Sequence, residues 1–228
     1  MNNPKQLTFP WNKTNKSNFN NFYFESSNIE AKDALLVSED IFLYGLEKTG
    51  KTYLLQSLCN HYFSEGKTSL LIPLKEAKDL GSQITESLEN LDLICIDDVD
   101  LIVGDNLWEV SIFNLINNCL LTNCRLVFCS SLNPSSINFD LKDLTSRIKK
   151  INHIEIFPVK ATNLSKAIKF IANSRSINLD KREIDYLITY SERSIANLIN
   201  IIEKLDDLSM ELKRKITIPL IKEVIQAE

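Results

Sequence analysis

Short apolar runs alternate with amphipathic stretches through the first two thirds of this chain. Runs of four to six residues bounded by polar residues are typical of strands buried on both faces. Five such runs occupy 41–44, 69–72, 91–96, 126–129 and 154–157. Because amphipathic stretches separate them, the pattern predicts an α/β fold, in which helices cover both faces of a parallel five-stranded sheet.

After Pro158 the pattern changes to the helical period alone. Apolar residues recur three and four positions apart around Ile184, and again between Ile195 and Leu205. A further helix is expected near the C-terminus. The predicted parts are a flexible polar tail over 1–17, an α/β domain over 18–158 and a small all-helical domain over 159–228.

Composition narrows the classes of function. The 228 residues carry a net charge of −4, so no domain-wide basic field is available to hold nucleic acid. No apolar run approaches the 18 residues of a membrane span, and the N-terminus lacks a signal core. Five scattered cysteines are typical of reduced thiols. We therefore expect a cytoplasmic protein without membrane contact.

One motif specifies a ligand. Residues 45–52 read GLEKTGKT, a complete G-x-x-x-x-G-K-T phosphate-binding loop between an apolar run and a predicted helix. Its glycines let backbone N–H groups surround an anion, while Lys51 can reach the β- and γ-phosphates and Thr52 can bind Mg²⁺. We expect ADP or ATP with Mg²⁺ as cofactors. The predicted nucleotide-binding positions are Gly45, Glu47, Lys48, Thr49, Gly50, Lys51, Thr52 and Tyr53.

Polar residues at the ends of two other runs complete this site. The third run ends in Asp97 and Asp98, at the edge where parallel sheets bind ligands. Asp97 is predicted to orient Mg²⁺, and Asp98 to polarise an attacking water. Asp98 is shorter than the glutamate usual at such a position, which predicts slow hydrolysis. Ser131 follows the fourth run and is a candidate contact to the γ-phosphate or the attacking water, or else begins a turn before Pro134.

Together these elements resemble the AAA+ ATPases, and within them the DnaA/Hda family. Three further stretches that carry the resemblance are 104–115 with its tryptophan, 143–148 and 214–223. The resemblance implies an AAA+ P-loop NTPase whose helical domain serves as a lid. Residues 18–28 resemble the aromatic-rich segment that embraces the adenine in this family, which implies nucleotide contacts by Phe19, Phe22 and Asn28.

The resemblance also assigns two arginine positions. Arg147 lies where this family places an arginine finger, which stabilises the charge on a γ-phosphoryl group bound by another subunit. An ion pair with Asp143 on the helix surface is the alternative. In the lid, the position that commonly carries a γ-phosphate-sensing arginine is occupied here by Ala196, and the nearest arginine is Arg193. This departure puts the preference for ATP over ADP in doubt.

The tail carries a second recognition motif. Its sequence QLTFPW resembles the peptide with which members of this family dock into the DNA polymerase III β sliding clamp. An apolar pocket would take Leu7 and Phe9, while Gln6 would hydrogen-bond at its edge. The predicted partner-binding residues are Gln6, Leu7, Phe9, Pro10 and Trp11.

The resemblance implies a regulator that binds the sliding clamp and stimulates hydrolysis of ATP bound to the DnaA initiator. On this interpretation the chain has weak or no ATPase activity of its own and reaches the nucleoid through the clamp. It would not bind specific DNA sequences directly, because no helix-turn-helix module is recognisable, and it can form homo-oligomers. The alternatives are a helicase loader or transposition helper of the same branch, and a non-catalytic adaptor that tethers DnaA to the clamp.

Overall fold

The computed structural model describes residues 17–37 and 39–227. Its five strands form one sheet in the order β2-β3-β4-β1-β5, and every neighbouring pair is parallel. The strands are β1 (Ile41–Tyr44), β2 (Ser69–Pro73), β3 (Leu93–Asp97), β4 (Arg125–Ser130) and β5 (Asn152–Glu155). The predicted five-stranded parallel sheet is confirmed.

Helices cover both faces of this sheet. Those around it are α1 (Ile29–Leu36), α2 (Lys51–Ser64), α3 (Leu74–Ala77), α4 (Asn106–Thr122) and α5 (Lys142–Ile148). Successive strand residues point to opposite faces, so Ile41 and Leu43 pack with α2 while Phe42 packs with α4. The three side chains are at most 1% exposed. Two apolar layers therefore fix the carboxyl edge of the sheet.

The predicted helical domain is present and has a core of its own. Its helices are α6 (Leu164–Ser174), α7 (Lys181–Tyr190), α8 (Ile195–Leu212) and α9 (Ile218–Gln226). Leu187, Leu198 and Ile221 are fully buried where these helices meet. Within the described ranges, none of the helices combines the length and apolar character required to cross a lipid bilayer.

The strand boundaries differ from the apolar run at β5. The run covers 154–157, whereas β5 covers Asn152–Glu155. Ile156 is 1% exposed and its N–H donates to the carbonyl of Tyr44 over 2.7 Å, but regular pairing has ended there. Burial of Ile156 therefore extends beyond the hydrogen-bonded ladder, whereas Phe157, the last residue of the run, is 42% exposed.

Two buried side chains connect the N-terminal segment to the segment that enters the lid. The Asn28 amide donates to the carbonyl of Phe157 over 2.8 Å and accepts from its N–H over 2.9 Å. The Glu25 carboxylate accepts from the N–H of Lys160 over 2.9 Å and from the Asn163 amide over 2.5 Å. Both side chains lie in residues that are at most 3% exposed. They fix the chain where it passes from the sheet to the helices.

Candidate nucleotide site and arginine surface

The glycine-rich loop leaves β1 at the carboxyl edge of the sheet and ends where α2 begins. Its backbone turns through positive φ at Lys48 (61°) and Gly50 (91°), a conformation that orients consecutive N–H groups toward one side. A Cβ on Gly45 would lie 2.2 Å from the carbonyl oxygen of Ile156, so only glycine fits there. The loop thus has the shape of an anion cradle at a helix N-terminus.

The Lys51 amine lies at this cradle. Lys51 is 7% exposed, and its Nζ donates to the carbonyl oxygens of Gly45 and Leu46, each over 2.9 Å. These neutral carbonyls satisfy two of its three donors and hold a positive charge beside the N-terminus of α2. A phosphate oxygen would offer the same amine a charged acceptor.

Thr52 and Asp97 meet across the space between α2 and β3. The Thr52 hydroxyl donates to Asp97 Oδ2 over 2.5 Å. Burial and the nearby Asp97 charge raise the pKa of the Cys129 thiol, which therefore stays protonated beside that carboxylate. A hydroxyl and a carboxylate supply the hard oxygen donors that Mg²⁺ prefers, and they leave most of the coordination shell to phosphates and water. The pair fits a nucleotide-carried Mg²⁺.

Asp98 has a strained backbone and an unfavourable charge environment. Its φ is 55°, in the left-handed region, and the residue is half-buried. Desolvation, followed by the charges of Asp97 and Asp100, raises the pKa of the Asp98 carboxyl above its ordinary value. Among the described residues, its carboxylate has no hydrogen-bond partner or ion pair. An unpaired carboxylate that holds a proton more readily is suited to accept one.

We predict that Asp98→Asn stabilises the free protein at pH 7. Because the pKa of this carboxyl is higher in the folded state than in the unfolded chain, its ionisation lowers the free energy of unfolding as pH rises through the folded-state pKa. The loss becomes smaller as pH falls and is absent below the ordinary pKa near 3.8. Asparagine removes the charge and also tolerates positive φ. The thermal midpoint should rise by a few degrees at pH 7, with a smaller difference near pH 4. An equal effect from Asp207→Asn, at an exposed lid carboxylate, would contradict this explanation.

The serines at the end of β4 are joined to an acid that the sequence analysis did not identify. Asp100 accepts from the Ser130 hydroxyl over 2.6 Å and from the Ser131 hydroxyl over 3.3 Å. Ser131 lies at the carboxyl edge as expected, but its hydroxyl is directed to Asp100. The only hint of this role in the sequence was a second acid, Asp100, two positions after Asp98. Its contact with β4 is visible only in the folded structure.

The aromatic segment contributes unequally to the site. The Phe22 ring lies against the loop, since a Cβ on Gly50 would be 2.7 Å from it, and its centroid is 5.9 Å from that of Tyr53. Phe19 is 8% exposed and belongs to the core beneath α2. The Asn28 amide is engaged by Phe157. The geometry therefore brings Phe22 and Tyr53 to the phosphate loop, and gives Phe19 and Asn28 supporting positions.

Arg147 lies at the opposite edge of the sheet from the phosphate loop. It is on α5, and it lines a surface depression of about 440 Å³. The depression is lined by Glu39, Asp40, Ile116, Leu120, Arg147, Lys150, Ile151 and Asn152. Asp40 immediately precedes β1 and Asn152 begins the parallel β5, so this surface is at the amino edge. The four residues of β1, at about 3.3 Å each, separate it from Gly45 by roughly 13 Å.

The alternative ion pair of Arg147 with Asp143 is not formed. Within the described ranges, the Arg147 guanidinium makes no hydrogen bond or salt bridge. It is partly exposed beside Lys150, on a surface that continues to Leu120 and Leu121, which are 56% and 84% exposed. A permanently charged group with five donors is therefore available at this edge.

The lid approaches the phosphate loop without an arginine at the expected helix position. Ala196 lies in the first turn of α8, and Arg193 is exposed before the Ser194 N-cap. The lid contact present at the loop is an ion pair in which Lys48 Nζ lies 3.4 Å from Glu192 Oε1. Both side chains are more than half exposed, so this pair contributes little stability.

The predicted clamp-binding residues of the tail, Gln6, Leu7, Phe9, Pro10 and Trp11, lie outside the described residues. The described chain begins at Ser17, whose carbonyl accepts from the Asn60 amide over 2.8 Å. The first described residue is therefore held against α2.

Two protein-family models together match nearly all of the described chain. Residues 14–155 match the bacterial DnaA ATPase domain, and residues 162–225 match the Hda lid domain. An uncharacterised protein of Haemophilus influenzae strain Rd is 26% identical over 227 residues, which cover 97% of this chain and 98% of that protein.

Solved structures share this fold over most of the chain. Domain III of the replication initiation protein DnaA from Thermotoga maritima has a TM-score of 0.77 and 20% identity, covering 92% of this chain and 96% of that chain. AMPPCP-bound DnaA from Aquifex aeolicus has a TM-score of 0.69 and 23% identity, covering 84% of this chain and 65% of that chain. At these identities the likeness establishes the fold.

Proposed function

The chain belongs to the Hda/DnaA family of AAA+ proteins, and from this premise we propose that it regulates replication initiation. In this proposal it binds the sliding clamp and stimulates hydrolysis of ATP bound to DnaA, which leaves the initiator in its inactive ADP form and prevents re-initiation. The observation that carries the proposal is the placement of Arg147. Among the described residues the Arg147 guanidinium has no hydrogen-bond or ion-pair partner, and the depression that it lines is separated from Gly45 by the length of β1, roughly 13 Å.

The Arg147 guanidinium acts on the partner's nucleotide. Negative charge spreads over the γ-phosphoryl oxygens during hydrolysis, and a planar, permanently charged donor can stabilise it. Such an arginine in trans contributes roughly 10³–10⁵-fold in rate. Lys150 lies in the same depression, where it and Arg147 face the carboxylates of Glu39 and Asp40, so that loss of either base would leave the surface acidic toward an approaching phosphate.

The chain's own nucleotide has a structural role in this proposal. Lys51 would bind the phosphates, Thr52 and Asp97 would hold Mg²⁺, and Phe22 covers the loop at Gly50. Mg²⁺ would neutralise phosphate charge in this site. A bound nucleotide would add its own contacts to the loop that Lys48 joins to Glu192 of the lid. The short Asp98 side chain and Ala196 at the lid position favour weak hydrolysis by the chain itself.

The tail supplies the clamp contact. We predict that deleting residues 6–11 lowers clamp affinity at least tenfold, because Leu7, Phe9 and Trp11 provide the apolar anchors. Binding of the full chain and the deletion variant to immobilised clamp measures this. Deletion of 1–5 is the matched control and should retain affinity. Retained binding after deletion of 6–11 would refute the tail contact.

The complete proposal is tested by mixing this chain, clamp loaded on DNA and DnaA carrying radiolabelled ATP. Conversion of the label to ADP should require both the chain and the loaded clamp. A chain that leaves conversion at the rate of DnaA alone would refute the proposal. Turnover of free ATP by this chain, stimulated by single-stranded DNA without DnaA, would instead indicate the helicase-loader alternative.

A further inference from the structure

A buried carboxylate joins two separate loops of the α/β domain. Glu109, in the first turn of α4, is 0% exposed. Its Oε1 accepts from the N–H groups of Gly104 over 2.8 Å and Asp140 over 3.1 Å, and its Oε2 accepts from the N–H of Leu141 over 2.7 Å. A carboxylate is tolerated in such a position only where donors compensate for the lost water. Three backbone donors do so here.

The two loops lead to different functional residues. Gly104 ends the segment that leaves β3 after Asp97 and Asp98. Asp140 and Leu141 lead directly into α5, with Leu141 at its N-cap. One oxygen atom, Oε1, is therefore shared between the loop of the chain's own nucleotide site and the entry to the helix that carries Arg147.

Elsewhere α5 is held by one hydrogen bond at its C-terminal end, where a ring nitrogen of His153 donates to the carbonyl of Ile148 over 3.0 Å, and by apolar packing. Leu144 and Ile148 bury one face of the helix at 0% and 1% exposure. Apolar burial is proportional to area and specifies direction weakly, whereas hydrogen bonds to both carboxylate oxygens fix position and rotation. Since the Arg147 guanidinium has no partner among the described residues, its direction depends on the placement of the α5 backbone.

We propose that Glu109 is a positioning residue for Arg147. Its carboxylate holds the entry to α5 against the loop that follows the metal-binding strand, so that the guanidinium is presented at a constant position to the partner's phosphates. This inference rests on the proposed function of Arg147 and adds the group that positions it.

Glu109→Gln tests the proposal with almost no change in shape. The glutamine nitrogen is a donor and would face an N–H group, so at least one of the three hydrogen bonds is lost. In the assay with DnaA and loaded clamp, the maximal stimulated rate should fall at least tenfold while the half-saturating concentration of the chain changes less than threefold.

Glu25→Gln is the matched control, because Glu25 is also a buried carboxylate that accepts from two donors, and it lies at the entry to the lid, away from α5. Glu25→Gln should lower the thermal midpoint about as much as Glu109→Gln does. It should stimulate ATP hydrolysis on DnaA within twofold of wild type. Equal loss of stimulation in both variants would overturn the proposal. So would a Glu109→Gln protein that stimulates within twofold of wild type.

Hydrogen exchange of the free protein separates this inference from the proposed function. The amides over 140–148 should exchange at least tenfold faster in Glu109→Gln and at the wild-type rate in Glu25→Gln. This measurement requires neither DnaA nor clamp. A wild-type chain that fails to stimulate DnaA refutes the proposed function, and unchanged exchange over 140–148 refutes the role of Glu109.

Discussion

Replacing Arg147 by alanine is expected to reduce the stimulated hydrolysis of DnaA-bound ATP by about 10³-fold, to the rate of DnaA alone. The variant loses the only charge that α5 directs toward a partner in this proposal, and no hydrogen bond within the described fold is broken. Thermal stability and affinity for ADP should therefore stay within error of wild type. Single-turnover conversion of labelled ATP on DnaA, with loaded clamp, measures the loss.

Two variants separate the finger from general surface charge. Arg147→Lys retains the charge and loses the planar fork, so it should recover little of the rate. Lys150→Ala removes a charge from the same depression and should weaken association several-fold without changing the maximal rate. If Arg147→Ala stimulates as well as wild type, the guanidinium is not the finger, and the chain would act as a tether.

The sheet was predictable because burial on both faces makes the central strands β1, β3 and β4 nearly continuous apolar runs, whereas the edge strand β5 is partly exposed. The run at 41–44 coincides with β1, and that at 126–129 lies within β4. At β5 the run and the strand separate, since Ile156 is buried against the loop beside Gly45 after pairing has ended. Local sequence reports where a segment is buried and carries less information about where its hydrogen bonds end.

The candidate site was predictable where adjacent residues perform one task. The phosphate loop is contiguous, so Lys51 and Thr52 could be assigned from spacing alone. The contacts of Asp100 with Ser130 and of Glu109 with Leu141 span 30 and 32 positions, and no local pattern marks them. Asn28 shows the converse case, because a residue in a recognisable segment is engaged by the backbone of Phe157.

Lys51→Ala is expected to weaken nucleotide binding by about 10²-fold, since truncating one member of a buried charged pair costs about 2–5 kcal/mol. At a ligand concentration of 100 times the wild-type Kd, ADP should stabilise wild type by about 2.7 kcal/mol and the variant by about 0.4 kcal/mol. For a chain of this size, the corresponding rises in thermal midpoint are about 5–10 °C and about 1 °C. Differential scanning fluorimetry with and without ADP measures both.

The same variant distinguishes regulator from tether. If the chain's own nucleotide rigidifies the loop and lid, Lys51→Ala should bind the clamp normally through 6–11 and yet fail to stimulate DnaA. Lys67→Ala, which removes an exposed lysine paired with Glu65, controls for the loss of one positive charge and should behave as wild type in both assays. Full stimulation by Lys51→Ala at undiminished ADP affinity would remove Lys51 from the site. Full stimulation despite lost affinity would show that Arg147 is presented correctly by the empty fold, because the packing of Leu144 and Ile148 and the carboxylate of Glu109 would then suffice.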